Sequence, residues 1–216
     1  MKRRTLDLIF SAGGIVLAVL LFTLGLVLQN QANFAKDYVH NQLSQQKITF
    51  TPVAGLTGEE KQASCLVANA GKPLTTGKQA ECYANKYIGL HVTKINDGKT
   101  YSETSGAARG LEQQLEAVQA SNANSPQAKA LQQQVDTLNG KADTLFKGET
   151  LRGLLLTSYG FSIFGDRAQT AAYVSFAAAL VLFLASIAGF VHAATRKREV
   201  EAAVPMSTTD HSLAPA

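Results

Sequence analysis

Two long runs of apolar residues divide the chain. The first covers residues 8–28 and the second covers residues 171–191, and neither contains a charged side chain. A helix rises about 1.5 Å per residue and the hydrocarbon core of a bilayer is roughly 30 Å thick, so each run is long enough to cross it once. The pattern predicts two transmembrane helices, which we place at residues 8–28 and 170–194.

A cleaved secretory signal is the alternative interpretation of the N-terminus, because Lys2, Arg3 and Arg4 resemble the basic start of such a signal. The apolar part of a signal is about 7 to 15 residues long and ends at a small-x-small cleavage site. Here the run is longer, and residues 29–35 after it contain no Ala-x-Ala pattern. The sequence therefore favours an uncleaved anchor.

Basic clusters flank both runs on the sides that face away from the central segment. Short flanks rich in Lys and Arg resist translocation, whereas a long segment crosses largely regardless of its charge. We therefore expect a two-pass plasma-membrane protein with residues 1–7 and 195–216 in the cytoplasm, the latter as a disordered tail, and residues 29–169 outside. The residues that set this topology are Lys2, Arg3, Arg4, Arg196, Lys197 and Arg198.

The beginning of the outer segment predicts a helix followed by an extended stretch. Helical spacing of apolar residues continues as far as residue 46, with no Gly or Pro to stop it. Residues 47–52 then alternate in β-branched and aromatic side chains and end in proline, which predicts a short extended segment. A lone strand is unstable, so this segment must pack on helices or pair with another stretch.

Two helices are predicted next. Thr57 and Glu60 have the spacing of a capping box and should begin a helix of two or three turns that carries Cys65. A longer helix begins near Lys78 and ends at residues 96–98, Asn-Asp-Gly. Its apolar face consists of Ala80, Ala84, Tyr87, Ile88, His91 and Ile95.

Two further stripes at helical spacing predict a helical hairpin. The second helix starts at Ser125-Pro126, a cap followed by proline at the first helical position. The stripes are narrow, so the hairpin packs within the chain or, alternatively, forms a coiled coil with a partner. Their members are Leu111, Leu115 and Val118, then Leu131, Val135, Leu138, Ala142 and Leu145. The fold class is thus mostly α, with two transmembrane helices flanking a helical extracytoplasmic domain that has at most one short extended segment.

Residues 151–164 contain one charge but are too short to span a bilayer, and Gly165-Asp166-Arg167 separates them from the second run. We expect an interfacial helix along the outer leaflet, where aromatic rings suit the interface and an arginine can snorkel. A buried helix of the outer domain is the alternative. The interfacial residues are Leu151, Arg152, Leu155, Tyr159, Phe161 and Phe164.

Charge argues against a nucleic-acid partner. The formal net charge is +4, and the outer segment has 14 basic against 12 acidic residues, so it lacks the basic patch that such binding needs.

Cys65 and Cys82 both lie in the outer segment. A pair of cysteines on the oxidising side of a membrane is more often a disulfide than a metal site, and no His or third Cys lies at ligand spacing. A free or metal-binding pair is the alternative.

His91 is the polar residue on an otherwise apolar helix face. A lone imidazole there is usually a packed, hydrogen-bonded core residue; the alternative is a ligand site formed with Tyr87 and Tyr101.

Several stretches together resemble one protein family. They are the N-terminal anchor, Lys47-Ile48-Thr49-Phe50, the helix that ends in His91 and leads to Gly98-Lys99-Thr100-Tyr101, and Leu151-Arg152-Gly153-Leu154. In these stretches the chain resembles small two-span envelope membrane proteins of actinobacteria, a largely uncharacterised family of which some members are labelled aromatic ring-opening dioxygenases. The resemblance covers most of residues 1–195, and the cysteine pair and the Gln-rich hairpin depart from the family pattern.

Ring opening requires iron held by several His and carboxylate ligands. The outer segment has only His40 and His91, on different predicted helices, and the chain contains no P-loop, GxGxxG or HExxH motif. We therefore predict no enzyme, no catalytic residue, no cofactor and no metal.

The expected function is that of a structural or interaction protein of the cell envelope, in contact with membrane lipid and with another envelope protein or itself. The alternative is an extracytoplasmic sensor or small-ligand-binding module with its site near His91.

Overall fold

The computed structural model describes residues 3–202 and, among their side chains, those of residues 5–195. Helices make up 86% of the described residues, and no strand occurs among them, which confirms the mostly α class. The elements are α1 (Arg3–Gln45), 3-10 turns at Val53–Gly55 and Glu60–Gln62, α2 (Ser64–Asn69), α3 (Gly77–Cys82), a π-helix (Tyr83–Ile88), α4 (Gly89–Ile95), α5 (Tyr101–Asn122) and α6 (Pro126–Ala202).

The described residues form two compact units, and the first contains residues 3–31 and 167–202. The two helices that enter it, α1 and α6, are both long and apolar enough to cross a membrane, with mean hydropathy 2.4 in their most apolar windows. They pack closely at glycines: a β-carbon at Gly25 would lie 2.5 Å from the ring of Phe176, and Gly14 lies against Ser186. Small residues at such contacts are typical of helix pairs in membranes.

The second unit contains residues 32–166. Its main apolar cluster, which we call the disulfide core, combines the end of α1, the segment before α2, helices α2 to α4 and the middle of α6. The disulfide core consists of Val39, Leu43, Phe50, Leu56, Leu66, Leu74, Ala80, Cys82, Ala84, Ile88, Val92, Leu145 and Leu155.

The predicted extended segment finds its pairing partner inside this unit. Thr49 forms an isolated antiparallel bridge with Pro73. The backbone N–H of Phe50 donates to the Lys72 carbonyl at 3.0 Å, and that of Leu74 donates to the Ile48 carbonyl at 2.8 Å. The pairing places Phe50 and Leu74 in the disulfide core, where each is 1% exposed.

The predicted helix at Thr57 is wrong in its extent. The capping bonds exist, since the Glu60 N–H donates to Thr57 Oγ1 at 3.2 Å and the Thr57 N–H donates to Glu60 Oε2 at 2.6 Å. They begin only the three-residue turn Glu60–Gln62, because Ala63 is extended with φ −84° and ψ 98°. Cys65 lies on the separate helix α2.

Residues 165–167, which separate the short apolar stretch from the second run in the sequence, do not interrupt the helix, because α6 is continuous from Pro126 to Ala202. Gly165 is buried, and a β-carbon there would lie 2.9 Å from the β-carbon of Ala35 on α1. Asp166 pairs with Lys36 at 3.8 Å. The glycine permits close helix packing, and the helix does not need to end there.

The predicted hairpin is present within the chain. It is formed by α5 and the beginning of α6, and we use "the hairpin" for residues 109–140. The Ser125 hydroxyl accepts the Ala128 N–H at 3.1 Å, as the predicted cap requires. A second apolar cluster holds the hairpin, with Leu115, Ala128 and Val135 buried and Leu111, Val118 and Leu131 packed against them.

Candidate functional site

A row of four rings leads from the disulfide core to His91. Phe50 meets Tyr83 edge-on with centroids 5.3 Å apart, Tyr83 stacks on Tyr87 at 4.7 Å, and Tyr87 is tilted against His91 at 4.5 Å. Phe50 is buried, whereas 53% of the His91 side chain is exposed. Burial raises the pKa of Tyr83, and the neighbouring Tyr87 adds to the rise.

Glu60 lies beside the outer end of this row with only 3% exposed. One carboxylate oxygen accepts the Thr57 N–H, and the other is 3.6 Å from His91 Nε2. His91 Nδ1 is 2.8 Å from the Tyr87 carbonyl. The Thr57 N–H lowers the pKa of Glu60 most; burial opposes the shift, and the charges of His91 and Lys94 support it. The structure therefore favours Glu60 as a carboxylate anion.

The prediction of His91 as a packed core residue is wrong. Residues 83–88 form a π-helix, in which each turn contains more residues than a turn of α-helix. The face that follows is therefore rotated, and Val92 enters the disulfide core in place of His91. The apolar face predicted from the sequence was drawn with one α-helical period from Ala80 to Ile95. The change of period in the π-helix is therefore missing from that prediction.

The predicted grouping of Tyr87, His91 and Tyr101 is corrected in part. Tyr87 and His91 are in contact, but Tyr101 is the first residue of α5 and its ring contacts Phe146 at 5.5 Å. Thr100 caps α5 by accepting the Glu103 N–H. In return the Thr100 N–H donates to the Glu103 carboxylate at 2.8 Å, and this bond, supported by one from the Thr100 hydroxyl, holds the pKa of Glu103 below its usual range. Tyr101 therefore belongs to the base of the hairpin.

A shallow cleft of about 360 Å³ lies next to the His91–Glu60 pair. Its charged lining residues are Glu59 and Lys86, and Glu59 pairs with Lys94 at 2.6 Å. Among the residues that the structure describes, no group of three His, Cys, Asp or Glu could hold a metal ion. The cleft offers amides and opposite charges to a polar molecule. Its lining residues are Glu59, Gln62, Ala63, Asn85, Lys86, Gly89, Leu90 and Thr93.

The predicted disulfide is confirmed. Cys65 and Cys82 have their sulfur atoms 2.01 Å apart and their α-carbons 6.1 Å apart. Gln79 reinforces the link, since its side chain donates to Asn69 Oδ1 at 3.1 Å and accepts the Thr76 N–H in a capping box. Sequence reasoning missed Gln79, although the Thr76-x-x-Gln79 spacing is a capping signal.

The six predicted interfacial residues differ in burial. Leu155 is buried in the disulfide core, and the Arg152 guanidinium donates to Glu149 and Asn85 at 3.3 Å each, as the alternative of a buried helix expects. Tyr159 is partly buried. Leu151, Phe161 and Phe164 are exposed, by 39%, 39% and 75%, and for them membrane contact stays a prediction.

A buried polar pair joins α4 to the base of the hairpin. The Asn96 side chain donates to Thr104 Oγ1 at 2.9 Å and accepts from Lys141 Nζ at 3.1 Å. Sequence reasoning used Asn96 only as a helix stop. The turn itself is confirmed, because Asp97 and Gly98 have φ of 51° and 80°.

The structure does not test the topology that was predicted from the basic residues. Lys2 lies outside the described residues, as do residues 203–216 of the predicted tail, and the side chains of Arg3, Arg4, Arg196, Lys197 and Arg198 lie outside the described side chains.

Comparisons of the chain with models of protein families, with curated proteins and with solved structures gave no match. The resemblance to two-span envelope proteins of actinobacteria therefore stays a prediction.

Proposed function

We propose that this protein is a membrane-anchored interaction protein of the cell envelope and that the hairpin is its partner-binding surface. In this proposal residues 8–28 and 170–194 cross the plasma membrane, both termini are cytoplasmic, and the domain between them contacts another envelope component or a second copy of the chain. Two helices long and apolar enough to cross a membrane support the anchoring.

The observation that carries the proposal is the separation of the hairpin from the disulfide core. The apolar residues of the hairpin pack on one another in a cluster of their own. The length of the hairpin therefore adds little to the burial of the core, and the two long helices serve another purpose. Because helical hairpins hold side chains in a fixed register, they are suited to partner recognition.

The outer faces of the hairpin are polar and exposed. The seam, by which we mean the contact between the two helices of the hairpin, is formed within the chain. It includes a hydrogen bond from the Asn139 amide to the Glu112 carboxylate at 2.9 Å. A partner would therefore meet mainly amide and carboxylate groups, as in a polar, non-obligate interface. These exposed residues include Gln113, Gln114, Glu116 and Gln119 on α5 and Gln132, Gln133, Gln134 and Asp136 on α6.

A second candidate function is an extracytoplasmic sensor or small-ligand-binding module. The exposed His91, its buried neighbour Glu60 and the cleft beside them favour it. Such a module would respond to a polar ligand that reaches the cleft. Isothermal titration of candidate ligands against the wild type and His91→Gln distinguishes this function, since hairpin binding does not require His91.

Site-specific crosslinking in intact cells tests the interaction proposal. A photoreactive phenylalanine analogue at Gln114 or Gln133 should give one discrete adduct, and the same analogue at the exposed Lys72 serves as the control. We expect the hairpin adduct to contain an envelope protein or a second copy of the chain. The absence of a hairpin-specific adduct at both positions would contradict the proposal.

The topology has its own test. Protease added to whole cells should cleave between residues 29 and 169, while a reporter fused after residue 216 should be active only in its cytoplasmic form. A protected central segment together with an external reporter would overturn the topology.

A further inference from the structure

A cleft of about 460 Å³ lies within the first unit, between α1 near its beginning and α6 near its end. Its volume falls in the range of sites that hold small molecules. We call it the polar cleft, because polar side chains line it in a pair of otherwise apolar helices. These side chains are Asp7, Ser11, Ser186 and His192, and the other lining residues are Phe10, Gly14, Leu182, Ala185, Ala188 and Gly189.

Two matching Ser-x-x-Gly segments form the inner end of the polar cleft. The Ser11 hydroxyl lies against Gly189, and the Ser186 hydroxyl lies against Gly14. Because the first serine meets the later glycine and the second serine meets the earlier one, α1 and α6 are antiparallel in this unit. Small residues let two helices approach closely, and here they place both hydroxyls at one opening.

Both serines are buried without a hydrogen-bond partner. Ser11 and Ser186 are each 5% exposed, and neither hydroxyl bonds to any residue that the structure describes. A hydroxyl on these helices is able to bond its own backbone, as Thr23 does by donating to the Leu20 carbonyl at 2.9 Å. Burial of a hydroxyl without a hydrogen bond is unfavourable. The arrangement therefore favours a bound group that supplies the missing bonds.

The charge of the polar cleft selects the kind of group. Its described lining contains neither Lys nor Arg, and the Asp7 carboxylate is the fixed charge in it. Asp7 is partly buried and forms no ion pair with a described residue. The carboxylate, the hydroxyl oxygens and a ring nitrogen of His192 are all able to accept hydrogen bonds. Acceptors around a negative charge fit a cation that carries N–H donors.

A metal ion fits this set of side chains less well than an ammonium group. Asp7 and His192 are its only residues of the types that usually bind metals, and no group of three such residues occurs in the part of the chain that the structure describes. A primary ammonium group, in contrast, carries several N–H donors and pairs with a single carboxylate. The polar cleft thus offers one counter-ion and two hydroxyl acceptors to such a group.

The position of the polar cleft in the sequence indicates where an ammonium group would come from. Asp7 directly precedes the first apolar run, and His192 directly follows the second. In a bilayer that both runs cross, the cleft opens in the headgroup region. We propose that the polar cleft binds a primary ammonium group, with Asp7 as its counter-ion and Ser11 and Ser186 as acceptors, an inference that rests on the membrane anchoring in the proposed function.

Lipids that differ only in their headgroups test this inference. The full chain in a non-ionic detergent is titrated with phosphatidylethanolamine, phosphatidylcholine and phosphatidylglycerol that have the same acyl chains, and bound lipid is counted by native mass spectrometry. The trimethylammonium group of phosphatidylcholine keeps the positive charge but has no N–H donor. We expect phosphatidylethanolamine to bind about tenfold more tightly than the other two, a difference of roughly 1.4 kcal/mol.

Variants of the lining show whether the preference arises in the polar cleft. Asp7→Asn keeps the shape of the side chain and removes its charge, so phosphatidylethanolamine should bind no better than phosphatidylcholine. Ser11→Ala with Ser186→Ala leaves the charge and removes the hydroxyl acceptors, and it should reduce the preference in the same direction. Ser175→Ala is the matched control and should retain the preference, because Ser175 is 8% exposed on the same helix as Ser186 and does not line the cleft.

Free ethanolamine distinguishes a lipid from a soluble amine. If the lipid is the ligand, phosphatidylethanolamine stays bound in an excess of ethanolamine. If a soluble amine is the ligand, ethanolamine displaces the lipid and binds to the wild type without lipid, but not to Asp7→Asn. Either result supports an ammonium site and identifies its source.

Three results would overturn the inference. They are equal binding of phosphatidylethanolamine and phosphatidylcholine, a preference for phosphatidylglycerol, and a preference for phosphatidylethanolamine that persists in both lining variants. Flotation of the full chain with vesicles of these lipids tests the anchoring separately. A chain that floats without a headgroup preference would overturn this inference alone, whereas a chain that does not float would contradict the membrane anchoring.

Discussion

The disulfide core and the hairpin differ in how they are held together. Thirteen buried residues from both long helices and the elements between them form the core, and the Cys65–Cys82 link joins two of its short helices. The hairpin has three buried residues in its seam, all from its own two helices. Stability is therefore concentrated in the core, whereas the hairpin is free to carry a polar surface suited to a partner.

The two regions also differ in how far apart in sequence their contacting residues lie. The core joins residues as distant in sequence as Val39 and Leu155, and a substitution there should affect the whole unit. The hairpin joins residues on either side of one short turn, and a substitution there should open the hairpin alone. The following predictions test this contrast.

Removal of a central ring of the core should have the largest effect. Phe50 is 1% exposed and contacts Tyr83, so Phe50→Ala should lower the free energy of unfolding by about 3–5 kcal/mol. Chemical denaturation of the full chain in detergent measures the change. Phe146→Ala is the control, since Phe146 is 54% exposed, and it should cost less than about 1 kcal/mol. Equal losses in the two variants would refute the assignment of the core.

Loss of the disulfide should be the next largest effect. The link closes a loop of 17 residues, so Cys65→Ala with Cys82→Ala should destabilise the core by about 3 kcal/mol. The wild type with added reductant is the matched comparison and should approach the variant. A reduced wild type that unfolds at the same denaturant concentration as the oxidised protein would show that the link does not stabilise the core.

A seam substitution should act locally. Leu115 is 6% exposed, and Leu115→Ala should cost about 2 kcal/mol, because its cluster is small. Hydrogen exchange should speed up in residues 109–140 while the amides of α2 to α4 keep their protection. Gln114→Ala, on the exposed face of the same helix, should leave both regions unchanged. Faster exchange of the core amides in Leu115→Ala would contradict the separate stability of the core and the hairpin.

Acid should affect the core through Glu60. The folded-state pKa of Glu60 lies below its ordinary value of 4.5, so the carboxylate contributes stability above that value and loses it as pH falls through the folded pKa. Glu60→Gln should remove this part of the pH dependence, whereas Glu59→Gln, which changes an exposed carboxylate, should retain it. Unfolding curves between pH 7 and pH 3 measure the slope. An unchanged slope in Glu60→Gln would contradict the role of its buried bonds.

Sequence patterns predicted what depends on composition and local spacing. The apolar runs, the paired cysteines and the Ser125-Pro126 start of α6 contain their signals within a few residues, and the structure bears out their helices, link and cap. The exposed position of His91 could not be predicted, because a π-helix changes the period without a clear sequence mark. Continuity at Gly165 depends on its close contact with Ala35, which is distant in sequence.

The separate roles of the core and the hairpin are tested most directly by replacing residues 113–138 with a short glycine-containing loop. The cross-helix bond between Glu112 and Asn139 shows that the two cut ends lie close together. The account predicts an unfolding temperature of the core within about 5 °C of the wild type, together with loss of the partner that hairpin crosslinking captures. A core that no longer folds, or a folded core that retains the partner, would contradict it.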